Sequence, residues 1–302
     1  MTRTVHSWAS RFSRVLALAP LMLPCSAAAP QGDDISLKDG FVFVNVMING
    51  RGPFRMLVDT GTTTSLLDPE AAADARLVYD HRVVLASLGG EKPLPATSQA
   101  ELRIGSATAA DVEIAVTPVS HVRKIDPRAR GILGQSFLSR SAYLIDYARK
   151  KLWLGEDAIQ RAEELPFALS ARQTNGRTIL PVTLQSGGPS WRLTLDSGAS
   201  NLILKCRARC PRIADPHSGD RVLAIVGERA VLSGTLRQVD IAGARMSFVQ
   251  ALLVDTDLPD GQDDGVLPSR WFSAVYVDGN SGLVRISPPS RSPPARVRFH
   301  EG

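Results

Sequence analysis

The segment "WRLTLDSGASNLIL" (residues 191–204) restates "FRMLVDTGTTTSLL" (residues 54–67) in residue type, about 137 positions later. Three more blocks keep the same order. "LRIGSATAADVEIAVT" (102–117) answers "VDIAGARMSFVQALLVD" (239–255), "RGILGQSFL" (130–138) answers "DGVLPSRWF" (264–272), and "YLIDYARKKLWL" (143–154) answers "VYVDGNSGLVRI" (275–286). Four blocks in one order describe a tandem duplication, so the chain folds as two copies of one module.

The local signals within each copy are β signals. Turn residues, "NGRGP" (49–53) and "SGGPS" (186–190), lie between β-rich runs, and the later blocks read as strand, Gly turn, strand. One short helix is expected from Pro69 with Asp68 as its N-cap, and another near Gln135. The chain is therefore all-β, divided into a first module over 33–156, a polar connection over 157–177, a second module over 178–286 and a Pro-rich, disordered tail over 287–302.

The first 28 residues read as a signal peptide: arginines at 3, 11 and 14, then the apolar run "VLALAPLML", then small residues. That run is too short to span a bilayer as a mature helix. Export to a periplasmic or secreted location follows. The formal charge of +5 shows no basic stripe interleaved with aromatics, which argues against a nucleic-acid partner. Beyond the signal the only thiols are Cys206 and Cys210, and an even count outside the cytosol favours a local disulfide over two free thiols or a metal site with His217. His121 and His217 read as surface residues.

The duplication pairs Asp59 with Asp196, each opening an Asp-Thr/Ser-Gly triplet. With the "GILG" motif (131–134), these triplets resemble the aspartic proteases, both the bilobal pepsin-like enzymes and the retropepsin-like enzymes, over nearly the whole chain from 41 to 286. The resemblance implies two pseudo-symmetric acid-protease-like β-barrel lobes with a few short helices and an active site at the lobe interface. It implies an aspartic endopeptidase acting on peptide or protein substrates, with Asp59 and Asp196 catalytic, no metal and no organic cofactor. Two lobes in one chain need no second copy, so a monomer is expected.

Two carboxyls about 3 Å apart do not both ionise readily, so they share a proton and activate a water between them. Gly61 and Gly198 allow the tight turn and bring N–H groups to the carboxylates. Thr60 and Ser197 resemble the family's hydroxyl pair, which binds across the interface. Thr62 offers Asp59 a further hydroxyl where Ala199 offers Asp196 none, which marks Asp59 as the preferred anion and Asp196 as the preferred acid. Hairpins over 83–94, with Gly89 and Gly90 at the tip, and over 222–232, with Gly227, are expected to cover the cleft as two flaps. One position departs from the pattern: Pro268 stands where the first copy has Gly134, and it lacks an N–H. A peptide-binding module with weak or no turnover is the alternative reading.

Overall fold

The computed structural model describes Met1 and residues 32–87, 90–185, 188–206, 209–255 and 263–288. The signal peptide expected over 1–28 lies outside these residues, Met1 aside, as do the tail beyond Pro288 and the flap-tip Gly89.

The described residues form three sheets. The first copy builds an eight-stranded sheet whose strands Phe41–Ile48 and Gly90–Ile104 also pair, Met47 opposite Arg103, curling it into a barrel. The second copy repeats this arrangement, closing Arg177–Thr183 onto Glu228–Ile241 through Thr183 opposite Asp240. In each barrel the strand leading to an aspartate runs parallel to the strand of the later block, with Leu57 opposite Ile132 and Leu195 opposite Leu267. Alternation explains which side chains turn inward: Val42, Val44 and Val46 are buried on one face of their strand.

The third sheet joins the copies. Its centre is the antiparallel pair Tyr143–Asp146 and Ala274–Asp278, equivalent strands of the two copies, with Ile145 opposite Val275. Leu144, Ile145, Val275 and Val277 are all buried there, and full burial of such side chains contributes roughly 1.5–3 kcal/mol each. This sheet ties one lobe to the other through paired strands of both copies.

The stretch 157–177, expected to be a plain connection, carries more structure than that. It holds most of the helix Glu156–Ala162, then Phe167–Ser170 at the edge of the shared sheet and Arg172–Thr174 at the edge of the second barrel. Edge strands expose one side and tolerate charge, so their composition reads as a linker. The helix Pro69–Asp74 begins as expected, with the Asp68 carboxylate accepting from the Glu70 N–H at 3.3 Å. A helix also forms at Gln135–Leu138. Cys206 and Cys210 form a disulfide.

Candidate active site

Each aspartate ends a buried strand. Asp59 follows Arg51–Val58 and its N–H donates to the Leu133 carbonyl at 3.0 Å, while Asp196 closes Ser190–Asp196 opposite Pro268. The Asp59 carboxylate accepts from the Gly61 N–H at 2.9 Å, the Thr62 N–H at 3.1 Å and the Thr62 hydroxyl at 2.8 Å. Asp196 accepts from the Gly198 N–H at 2.6 Å and from the Ala199 N–H, with no side-chain hydroxyl in the Thr62 role.

The two loops hold each other. The Thr60 hydroxyl donates to the Leu195 carbonyl at 2.8 Å and accepts from the Ser197 N–H at 3.0 Å. In return the Ser197 hydroxyl donates to the Val58 carbonyl at 2.7 Å and accepts from the Thr60 N–H at 3.1 Å. These four bonds are buried and related by the pseudo-dyad, and breaking one leaves a buried group unpaired at about 1–3 kcal/mol.

Neither Gly61 nor Gly198 has a positive φ, so a left-handed turn is not what demands glycine. Space demands it. A Cβ on Gly61 would stand 2.5 Å from Asp196 Oδ2, and one on Gly198 would stand 2.6 Å from Asp59 Cγ. Each glycine thus admits the carboxylate of the opposite lobe. Burial, and then the charge of Asp59, hold the Asp196 carboxyl well above the ordinary carboxylate range.

Residues 44–137 match the family model described as aspartyl protease. This stretch, within the first copy, is thus similar to the aspartyl proteases. No characterised protein matches the sequence significantly. The family match supports a general aspartic-protease function, and the matched region contains Asp59, Thr60, Gly61 and Thr62.

The cleft at the two loops encloses about 860 Å³ and has Asp59, Gly61, Asp196 and Gly198 in its lining. Both hairpins line it, through Val84–Ser87 in the first copy and Val222, Ala224 and Ile225 in the second. They meet over it: the Ser87 hydroxyl donates to the Val226 carbonyl and accepts from the Val226 N–H, both at 3.0 Å. Gly90 and Gly227 sit beside the hairpin turns with φ of +136° and +71°, conformations that glycine adopts without strain. Leu85 and Leu94 anchor the first hairpin in a buried cluster against which Ile225 and Val226 of the second also pack.

His121 corrects the surface reading made from sequence. It sits on the helix Ser120–Ile125 and lines the cleft. Burial holds its imidazole below the ordinary histidine range, and the charge of Asp59 opposes that shift. No repeated sequence context marked it. His217 is exposed, as expected.

Proposed function

We propose that the chain is an aspartic endopeptidase in which Asp59 and Asp196 share one proton. The observation that carries this reading is the reciprocal approach of each loop glycine to the other lobe's aspartate, locked by the Thr60 and Ser197 cross-bonds. Asp59, with three donors, acts as the anion that takes a proton from a water molecule. Asp196, whose carboxyl burial keeps protonated, donates to the scissile carbonyl oxygen. The water oxygen bonds to the carbonyl carbon, giving a neutral diol, and a proton passed to the amide nitrogen releases the amine product. The flaps exclude bulk water from this step and grip an extended peptide.

The signal-like N-terminus and the disulfide support an exported enzyme, periplasmic or secreted. One chain supplies both aspartates, which supports action as a monomer. Pro268 leaves the second loop in register, since Asp196 pairs opposite it with Leu195 opposite Leu267.

Digestion of a peptide library across pH tests the reading. Cleavage is expected on the acidic side, with Asp59→Asn lowering kcat/KM at least about a thousandfold, the upper part of the general acid–base range. An Asp59→Asn protein that cuts as well as the parent overturns it. Peptide binding without any cleavage by the parent points to the binding-module alternative.

A further inference from the structure

The two halves of the cleft are built from equivalent positions with different chemistry. In the first lobe Phe41, Leu57, Leu85, Val122 and Ile125 form an apolar stretch of the wall, and the charged side chains beside it, Glu91 and Glu113, are acidic, with no lysine or arginine among the described lining residues of that lobe. Leu57 lies two residues before Asp59, and the equivalent residue before Asp196 is Thr194. Side chains at i and i+2 of a strand share a face, about 7 Å apart, so Thr194 flanks the reacting centre as Leu57 does. Ala129, fully buried in the first lobe, has Asp263 as its equivalent.

Asp263 is not alone. Lys205 Nζ lies 2.5 Å from its Oδ1 and Arg177 Nη1 lies 3.2 Å from its Oδ2, and all three residues line the cleft with Thr194. The Asp263 side chain is 1% exposed and that of Lys205 12%. Two cations against one anion leave a net positive charge in a low-dielectric wall. Asp263 Oδ1 accepts a hydrogen bond from Lys205, whereas Oδ2 is ion-paired with Arg177 but has no hydrogen-bond partner among the described residues. Arg177 Nε and the Thr194 hydroxyl are shielded from solvent and have no hydrogen-bond partner among the described residues. An unpaired buried donor is costly, and an acceptor brought by a ligand removes that cost.

We infer that the second-lobe half of this cleft selects a carboxylate on the peptide, held by Arg177, Lys205 and Thr194, while the first-lobe half takes an apolar side chain. Rather than two similar greasy pockets, the enzyme has one apolar and one anion-seeking half. The carboxylate can come from an Asp or Glu side chain or from the peptide's own C-terminus. A bidentate-capable guanidinium with an adjacent ammonium and hydroxyl suits either. This inference rests on the endopeptidase reading for its link to turnover, but not for its link to binding.

The test therefore reads both. Matched peptides carrying Glu or Gln next to the cut, each with a free or an amidated C-terminus, are measured for kcat/KM. The same sequences with a reduced, uncleavable peptide bond are measured for Kd. The expected result is a Glu-over-Gln preference, or a free-over-amidated one, of about tenfold or more in Kd, matching a charge-assisted hydrogen bond. Arg177→Gln is expected to collapse that ratio toward one, and Thr194→Val, which keeps the side-chain shape, to reduce it severalfold even where Arg177→Gln folds poorly. A preference in Kd without cleavage supports the inference and counts against the protease reading. Equal Kd values for charged and neutral peptides overturn it, whether or not they are cut, as does a preference that both variants retain.

Discussion

The two aspartate loops are related by duplication, yet the structure supports them from behind in different ways. Behind Asp59, the Gln135 side chain donates to the Thr60 carbonyl at 2.8 Å, the Gln135 and Ser136 N–H groups donate to the Thr62 and Thr63 carbonyls at 2.8 Å, and the Gly134 N–H donates to the Ser65 hydroxyl at 3.1 Å. Behind Asp196 stand Pro268, Ser269 and Arg270. Among the described residues none of these hydrogen-bonds back to 199–201. Ser269 instead reaches Tyr147 Oη at 2.6 Å, and Arg270 lies over the Phe41 ring of the first lobe, 5.0 Å from its centroid. The first loop is thus braced by its own lobe. The second is braced by its strand register, by packing and by the bonds that cross to the first lobe. A duplicated site keeps its symmetry where the two copies touch and loses it where each faces its own scaffold.

The largest effect expected from this comparison lies where symmetry is kept. Gly61→Ala and Gly198→Ala both force a methyl against the opposite carboxylate, so each is expected to cost about 1–3 kcal/mol of stability. Each is also expected to lower kcat/KM about a hundredfold by displacing the dyad. Thermal unfolding of Gly61→Ala with and without Asp196→Ala makes the cause readable. Removing the facing carboxylate relieves the crowding, so the double variant should lose less than the sum of the singles. Full additivity would mean that the two loops do not press on each other.

Where symmetry is lost, the effects should separate. Gln135→Ala strips a buried carbonyl of its donor and is expected to cost about 1–3 kcal/mol, with a clear drop in kcat/KM because Thr60 shifts. Ser269→Ala removes only the contact with Tyr147 and should lower stability while leaving kcat/KM within about threefold, since no loop atom loses a partner. Urea denaturation and peptide kinetics on both variants decide the matter. Equal kinetic damage from the two would erase the distinction between an internally braced loop and an externally braced one.

How far the sequence revealed this arrangement depends on whether the signal was local. The duplication, the barrel strands, the Asp68 cap and the paired triplets are all written in short runs, and the aspartate pairing follows from the repeat alone. The edge strands at 167–174 were hidden because half-exposed edges carry the polar residues of a connection. His121 was hidden for a different reason: it falls in no repeated sequence context, and it reaches the cleft from a six-residue helix. Arg177, Lys205 and Asp263 come from three separated segments that only barrel closure unites, so no spacing in the chain announces them. The exchange of Leu57 for Thr194 was visible within the repeat, and it was the available clue that the halves of the cleft differ.

The smallest and most discriminating effect concerns the single hydroxyl that separates the loops, Thr62 against Ala199. A donor placed on a carboxylate stabilises the anion and lowers the pH at which the proton leaves. Ala199→Ser supplies Asp196 with such a donor. Burial and the neighbouring charge of Asp59 raise the Asp196 carboxyl, and the proposed mechanism requires one proton on the pair, so on that reading the upper limb of the kcat/KM profile reports loss of that proton. Ala199→Ser should move this limb to lower pH, by roughly one unit if the new bond resembles other hydrogen bonds to charged groups. The opposite change, Thr62→Ala, withdraws a donor from the aspartate that is ionised on both sides of the upper limb, so it should move the lower limb to higher pH and leave the upper limb nearly in place. Were both variants to titrate like the parent, the missing hydroxyl at 199 would have no part in setting which aspartate keeps the proton, and the asymmetry of the dyad would have to come from burial alone.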